Sequence, residues 1–314
     1  MKLWKLTKKQ VIIRLILLVV FLIALYVLMC LRACPKWHEQ TSVPPGVKGA
    51  DGTQETAVAP PEGYERIPAA EGSFLQFMRE MPVREQGSSI LTYDGKAISS
   101  ANAAAVYTLS LPDVDLQQCA DTVIRLWSEY FYQTGQTDRI AFSYSNGYET
   151  SWADWQKGWR YLTVPVTGWT FRLKLKGQDD SPQQMHNYLR AVMRYAGTLS
   201  LEAESQPIGI SEAHAGDIIC KGGAPGHVVV IVDEAVNEKG ERCFLLAQGL
   251  IPSQSAHVIA GVHDSPLGET CPWYTEAQLS TAPIRLSSYP YESTDALRRW
   301  KDGFPNAAET NKGE

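Results

Sequence analysis

The chain has 314 residues, of which 44% are hydrophobic and 20% are charged, and its formal net charge is −5. This composition indicates a globular protein that can bury one large core or two small ones. No segment repeats at a fixed period, which excludes solenoid and propeller architectures.

The basic residues are concentrated at the N-terminus. Residues 1–36 contain seven of the 29 basic side chains and no acidic one, so the remainder carries 22 bases against 34 acids. Nucleic-acid binding depends on clustered lysine and arginine, and this balance argues against a nucleic-acid partner. The acidity of the remainder is explained by solubility alone.

Residues 1–34 predict a membrane-inserting segment. Lysines precede a stretch, residues 11–31, that is apolar except for Arg14. Its uninterrupted part of 17 residues is near the lower limit for crossing a bilayer and is long for a signal peptide. The positive-inside rule predicts a cytoplasmic N-terminus and an extracytoplasmic body. Leu31-Arg-Ala-Cys34 resembles a lipoprotein cleavage site, so a lipid-modified Cys34 and an uncleaved anchor are alternatives, and both bind the membrane.

The rest of the chain divides into a linker, a domain and a tail. Residues 35–63 are rich in Pro, Gly, Thr, Glu and Ala without apolar periodicity, which predicts a flexible linker. A globular extracytoplasmic domain is expected over residues 64–305, followed by a polar tail at 306–314. Four cysteines in this body are too sparse for a disulfide scaffold, although one or two disulfides remain open.

The first predicted elements of the domain are a short helix over Ser73–Met81 and a hairpin over residues 89–99. Asp115-Leu-Gln-Gln118 has the form of a capping box and opens the clearest helix, Leu116–Gln133. The later elements are a strand at 139–144, a helix at 185–199 and a closing helix at 294–301. A long helix followed by a compact antiparallel meander predicts an α+β domain.

Two apolar strands are predicted to carry polar side chains at their ends. His227 follows the turn Pro225-Gly226 and opens a run of five aliphatic residues. The next strand begins at Cys243 and ends on Gln248. Polar groups at strand ends, beside a sheet that otherwise excludes them, are what a catalytic dyad requires.

Cys119 is the candidate nucleophile. It lies about one turn into the predicted helix, where exposed amides and the helix dipole favour an anion and lower the pKa of a thiol. If the strand packs against this helix end, His227 accepts the thiol proton and Gln248 orients the imidazole. Gln118 or a backbone amide is the candidate oxyanion donor. The alternative is a structural cysteine, because Cys119 also falls on the apolar stripe of the helix.

Trp152, Trp155 and Trp159 fall at helical spacing and form a second candidate site. Such rings stack on sugars or on peptide side chains, and the alternative is packing in the core.

No cofactor is expected from the remaining polar residues. Asp217 follows Gly216 and is interpreted as a turn acid that supports the site, and His257 and His263 are interpreted as loop residues. The histidines lack the close spacing of metal ligands, so no metal is predicted. The glycines at 222–226 lack the lysine and serine of a phosphate loop.

Five strings carry a resemblance to a known family: Ser73–Pro82, Asp115–Asp121, Arg194–Leu201, Gly222–His227 and Pro272–Tyr274. In these strings, and over about residues 64–300, the chain resembles a bacterial family of exported proteins, known mainly from Bacteroidetes and defined as a domain of unknown function (DUF 4846). The resemblance implies no established activity.

The order of Cys119, Gly216-Asp217, His227 and Gln248 is similar to that of papain-like cell-wall cysteine peptidases of the NlpC type. The chain departs from their pattern, because Gln-Cys-Ala-Asp121 replaces Asp-Cys-Ser-Gly and an insertion over residues 139–205 must be assumed. This resemblance implies a papain-like arrangement and a thiol hydrolase that cleaves cell-wall peptide. The competing hypotheses are a non-catalytic envelope protein that binds glycan or peptide, and a structural lipoprotein.

Overall fold

The computed structural model of the protein describes residues 7–32, 50–99 and 101–304. The chain forms two compact units, residues 1–36 and residues 37–314. The first unit contains helix α1 (Lys8–Arg32). Its segment Lys8–Met29 is long and apolar enough to cross a membrane, with a length of about 33 Å at 1.5 Å per residue. It therefore fits a signal sequence or a membrane anchor, while Cys34 lies outside the described residues.

The second unit contains the remaining helices and strands. Its helices are α2 (Gln54–Ala57), α3 (Phe74–Arg79), α4 (Cys119–Gln133), α5 (Trp152–Gln156), α6 (Pro182–Met193), α7 (Thr198–Ala203) and α8 (Glu276–Ser280), with 3-10 turns at Thr137–Arg139, Ile210–Glu212 and Thr294–Ala296. Its strands are β1 (Ala50–Thr53), β2 (Tyr64–Arg66), β3 (Pro82–Arg84), β4 (Ile90–Leu91), β5 (Ala97–Ile98), β6 (Ala103–Val106), β7 (Ala141–Ser143), β8 (Glu149–Ser151), β9 (Trp159–Thr163), β10 (Thr170–Lys174), β11 (Ser205–Pro207), β12 (Ile218–Lys221), β13 (His227–Asn237), β14 (Arg242–Gln248), β15 (His257–Ile259), β16 (Trp273–Thr275), β17 (Ile284–Arg285), β18 (Pro290–Tyr291) and β19 (Leu297–Trp300). Helices with antiparallel sheets confirm the predicted α+β class.

The largest sheet has the strand order β11-β19-β12-β13-β14-β15-β6, and β16 and β2 pair with β14 and β13 outside this path. All of its pairings are antiparallel. The long strand β13 lies at its centre, with Lys221 opposite His227 on one side and Ala247 opposite Val230 on the other. An interior strand covered on both faces buries nearly all of its side chains, which explains the aliphatic run after His227.

Helix α4 packs against this sheet and supplies much of the core. Its apolar side chains include Val123, Trp127 and Phe131, all fully buried, and Trp127 stacks on Trp300 with ring centroids 4.7 Å apart. Burying a side chain of this size stabilises the fold by roughly 1.5–3 kcal/mol. The helix is thus fixed to the sheet along most of its length.

The start of α4 differs from the prediction. The backbone N–H of Gln118 donates to the Asp121 carboxylate at 3.1 Å, so the acid lies on the third helical residue and the helix begins at Cys119. The predicted capping acid, Asp115, instead accepts a hydrogen bond from the backbone N–H of Ser253 at 2.7 Å. The predicted role of Asp115 as the capping acid is wrong. A capping acid must accept from an unpaired amide at the helix start, and Asp121, the third residue of the helix, accepts from the amide of Gln118.

The folded domain begins earlier than Tyr64, the expected boundary. Strand β1 and helix α2 lie within the predicted linker, and the Gln54 side chain is fully buried. Its Nε2 donates to the carbonyl of Val232 at 3.2 Å, and its Oε1 accepts from the Tyr107 hydroxyl. A buried glutamine satisfied by distant partners leaves no apolar periodicity in the sequence. Residues 33–49 and 305–314, including the predicted tail, lie outside the described residues.

Among the other predicted elements, the short helix and the following hairpin are confirmed as α3 and the pair β4–β5. The second amphipathic helix is α6, which ends at Met193. The closing helix is wrong, because residues 297–300 form strand β19 inside the large sheet, between β11 and β12. Leu297 and Trp300 are three residues apart, a spacing that fits a helix, but pairing with two strands determines the structure here.

Candidate functional site

Cys119 is the first residue of α4, and its side chain is 7% exposed. Burial raises the pKa of the Cys119 thiol, and the Asp121 carboxylate raises it further, whereas the backbone amides of Ala120 and Val228 oppose this effect. The predicted lowering of the pKa by the helix dipole is therefore wrong, because desolvation outweighs it. The thiol is neutral near neutral pH. The Cys119 sulfur also lies close to the backbone N–H of Val228, the residue after His227.

Two glycines are closely packed next to His227 and Gln248, at the ends of β13 and β14. A Cβ atom on Gly226 would lie 2.3 Å from the carbonyl oxygen of Gly223 and 2.7 Å from that of Lys221, so only glycine fits immediately before His227. A Cβ atom on Gly249, immediately after Gln248, would lie 2.1 Å from Oγ1 of Thr122. The end of β14 is therefore in direct contact with the first turn of α4.

A chain of hydrogen bonds joins His227 to the interior of the sheet. Nε2 of His227 lies 2.9 Å from Oε1 of Gln248, and Nε2 of Gln248 lies 3.1 Å from Nε2 of His257. Nδ1 of His257 lies 3.0 Å from the carbonyl oxygen of Ser255. We call these four residues the histidine chain. Its members are buried, with His257 and Gln248 fully so.

The carbonyl of Ser255 fixes the direction of every hydrogen bond in the histidine chain. A carbonyl oxygen only accepts, so Nδ1 of His257 carries a proton and its neutral ring accepts at Nε2. The Gln248 amide group must then donate to His257, and its oxygen must accept from Nε2–H of His227. This assignment leaves the lone pair of His227 on Nδ1. The histidine chain therefore selects the tautomer in which Nδ1 is the basic nitrogen.

Burial keeps both histidines neutral, as this direction requires. Burial lowers the pKa of His227, although the hydrogen bond that its ring donates to Gln248 opposes the shift, and it lowers the pKa of His257 to about 4. Within residues 101–304, which hold both groups, no hydrogen bond joins the Cys119 thiol to the His227 ring. The Tyr289 ring packs against the imidazole with centroids 5.5 Å apart and restricts its rotation.

A cavity of about 390 Å³ opens beside Cys119. Gln118, Gly226 and Thr198 line it together with three ionisable residues, Asp115, Asp121 and Arg194. Asp115 and Arg194 are exposed, whereas Asp121 is buried. The cavity is large enough for a short peptide segment or a small acyl group, and its wall includes the nucleophile candidate.

Asp217 is not part of this site. Ile218 lies opposite Val230 and Lys221 lies opposite His227, so Asp217 precedes β12 at the end farther from the imidazole. Its carboxylate accepts from Nη2 of Arg299 at 2.7 Å and from the backbone N–H of His214 at 2.9 Å. The supporting role predicted for Asp217 is corrected to that of a buried structural acid.

The three tryptophans do not share a helical face. Trp152 and Trp155 belong to the short helix α5 and are 1% and 4% exposed, while Trp159 begins strand β9. Both buried rings contact Tyr188, with centroids 6.3 and 5.8 Å away. Trp152 and Trp155 are thus core residues, and Trp159 is half-buried with the Arg172 guanidinium 4.8 Å from its ring centroid.

Two residues of the site were missed by the sequence analysis. His257, interpreted as a loop residue, lies on β15 directly opposite Gln248. Its alternation with apolar residues in Ala256-His257-Val258 is a weak strand signal that could have placed it. Tyr289 lies between β17 and β18 in a region without periodicity, and the sequence carries no signal that it meets His227.

Fold and site together define an α+β domain with a buried cysteine, a directional histidine chain and an adjacent cavity. Residues 54–299 match the family described as a domain of unknown function (4846), which is more than half of the chain. The protein therefore belongs to this family, as the sequence motifs predicted. No curated protein and no solved structure matches the chain.

Proposed function

We propose that this protein is a membrane-tethered, extracytoplasmic thiol hydrolase with a papain-like site. Cys119 is the nucleophile, His227 the general base and Gln248 the residue that orients the imidazole. The observation that carries this proposal is the direction of the histidine chain. It leaves the lone pair on Nδ1 of His227, and the amide of the next residue, Val228, lies beside the Cys119 sulfur.

The proposed reaction starts from a neutral thiol and a neutral imidazole. As Sγ of Cys119 attacks the carbonyl carbon of an amide or ester, its proton passes to Nδ1 of His227 and the carbonyl electron pair moves onto oxygen. The tetrahedral intermediate collapses to a thioester, and the proton goes from His227 to the departing amine or alcohol. Water then attacks the thioester carbonyl carbon and gives a proton to Nδ1 of His227. The second tetrahedral intermediate releases the carboxylic acid and the Cys119 thiolate, which takes the proton back from His227.

Two groups are candidates for stabilising the oxyanion. The backbone amide of Cys119 belongs to the first turn of α4, where amides have no acceptor within the helix. The Gln118 side chain lines the cavity, where its Nε2 donates to Oδ1 of Asp115 at 3.2 Å. An incoming oxyanion would replace that carboxylate as the acceptor.

The cavity wall favours a substrate that carries both signs of charge. Asp115 and Arg194 are both exposed and line the same cavity as Cys119. A peptide with one cationic and one anionic group can pair its cation with Asp115 and its anion with Arg194 through charged hydrogen bonds. An envelope location, inferred from α1 and the lysines before it, makes cell-wall peptide the proposed substrate.

The second candidate is a non-catalytic envelope protein that binds peptide or glycan in this cavity. The raised pKa of Cys119 and the missing hydrogen bond to His227 favour it. In that case, the thiol is only part of the cavity wall.

The two functions are separated by acylation with p-nitrophenyl acetate. The full chain in detergent is mixed with the ester, and the acetylated peptide is identified by mass spectrometry. We expect an acetyl group on Cys119 and release of p-nitrophenol, slower by about 10²–10⁴-fold in His227→Ala because the general base is lost. Cys220→Ser is the matched control, since Cys220 is also a buried thiol and its pKa is raised to about 12. Acetylation of Cys119 at the same rate with and without His227 would contradict the hydrolase.

A further inference from the structure

Residues 157–176, here called the basic hairpin, form a two-stranded sheet separate from the large one. Strand β10 pairs with β9 from Thr170 opposite Thr163 to Lys174 opposite Trp159. The chain turns over between Val164 and Trp169, where the N–H of Val164 donates to the carbonyl of Trp169 at 2.8 Å. This hairpin lies outside the candidate site, and none of its residues lines the cavity.

The charge of the basic hairpin is opposite to that of the rest of the body. It contains five basic residues, Lys157, Arg160, Arg172, Lys174 and Lys176, and no acidic residue. The chain beyond residue 36 has 22 basic and 34 acidic residues and is therefore negatively charged. Residues 157–176 are an exception, because they carry a net positive charge. Arg160 is buried over the Trp155 ring, whereas Lys174 and Lys176 are exposed.

The hairpin also exposes large apolar side chains. Val166 at the turn is 94% exposed, Trp169 is 65% exposed and Leu173 is 37% exposed. These are three of the six exposed large hydrophobic residues in the described chain outside α1. The Trp169 and Phe171 rings stand 4.9 Å apart, on the face of β10 opposite to Arg172 and Lys174 because strand residues alternate. The apolar and the cationic side chains of β10 therefore lie on opposite faces of the hairpin.

We propose that the basic hairpin docks on an anionic lipid bilayer, with Val166 and Trp169 inserted at the interface and Lys174 and Lys176 against headgroup phosphates. Tryptophan at the water–lipid boundary and cations just outside it are the pattern of an interfacial contact. A bilayer is the occupant favoured by the chain itself, since α1 is long and apolar enough to cross one. The net negative charge elsewhere on the body is repelled by anionic lipid, which confines the contact to this hairpin.

The test uses the full chain reconstituted in phosphatidylcholine vesicles with and without phosphatidylglycerol, and with brominated or ordinary acyl chains. Bromine quenches only tryptophans at the bilayer. The emission of Trp169 is obtained by subtracting the spectrum of Trp169→Phe from that of the wild type, so that any other tryptophan near lipid cancels. In vesicles that contain phosphatidylglycerol, we expect brominated chains to remove most of this emission.

Two variants make the result specific. Trp159→Phe is the matched control, because Trp159 lies on the opposite face and is half-buried, so its difference spectrum should survive bromination. In the double variant Lys174→Glu with Lys176→Glu, the Trp169 emission should recover. Equal Trp169 emission in brominated and ordinary anionic vesicles would overturn the proposal. So would a blue shift of Trp169 on adding a soluble polyanion when the vesicles cause none, since the hairpin would then be a polyanion-binding site.

Discussion

Strand β13 carries a buried polar cluster near each end, and the two clusters are built differently. Near its C-terminal end, Oδ2 of Asp233 accepts from Nε of Arg66 at 2.7 Å, and Oδ1 accepts from Nε of Arg79 at 2.8 Å and from the N–H of Glu234 at 2.9 Å. We call Asp233 and the two arginines the ionic cluster. At the other end, the histidine chain is neutral and directional, and it stops at Nδ1 of His227.

The difference separates a cluster that is fully engaged with the protein from one that ends on a basic nitrogen. In the ionic cluster, both oxygens of Asp233 accept hydrogen bonds from groups of the protein itself, so the carboxylate serves to hold the fold together. The histidine chain uses three hydrogen bonds to fix one ring and leaves Nδ1 of His227 as a basic nitrogen, and the backbone amide of the next residue, Val228, lies beside the Cys119 sulfur. A buried polar group with remaining capacity is the more informative sign of function.

The largest effect that tests this comparison is expected from Asp233→Asn. The variant leaves two guanidinium groups beside a neutral amide in a buried place, and removing one partner of a buried ion pair typically costs about 3–5 kcal/mol. The measurement is guanidinium chloride unfolding of the full chain, followed by tryptophan fluorescence. Gln248→Leu is the control, with an expected loss of about 1–3 kcal/mol, because it leaves neutral groups unpaired. Equal losses in the two variants would remove the distinction between the clusters.

The histidine chain should make stability depend on pH. Burial lowers the pKa of both histidines below 6.5, so the unfolded chain binds protons first as the pH falls. The contribution of the two histidines to the free energy of unfolding is therefore largest above pH 6.5 and decreases as the pH falls to about 4, where His257 also becomes protonated in the folded state. His257 alone contributes up to about 3 kcal/mol of this loss.

The contribution of His257 is isolated by the variant His257→Gln, which keeps a donor and an acceptor but does not titrate. We expect a shallower decrease of the unfolding free energy between pH 6.5 and about 4 than in the wild type, measured by denaturant unfolding at each pH. Other groups that titrate in this range cancel in the difference. Parallel curves for the two proteins would mean that His257 is not held neutral by burial.

The smallest effect is expected from Asp217→Asn. Asp217 is buried, but Arg299 is partly exposed, so water can solvate the guanidinium when the carboxylate is removed. We expect a loss of about 1–2 kcal/mol in unfolding free energy. The rate of Cys119 acetylation should not change, because Asp217 lies at the far end of β12. A large loss of acetylation with normal stability would return Asp217 to the site.

The sequence was sufficient to predict the α+β class and the order of the residues at the strand ends. His227 and Gln248 stood out because they lie at the ends of apolar strands, and Cys119 stood out because it lies near the start of a helix. The pKa of Cys119 was predicted in the wrong direction, since desolvation depends on how deeply the sheet covers the helix start. His257 was missed because a three-residue strand is too short to show a clear alternation.

The position of β19 has a consequence for the biogenesis of the protein. This strand comes from residues 297–300, yet it hydrogen-bonds to β11 and β12 on its two sides. Until Trp300 has been synthesised, the nascent chain lacks the internal strand β19 and the Trp300 indole that stacks on Trp127. The large sheet can therefore be completed only after Trp300 has been synthesised, so its assembly is a late step in folding.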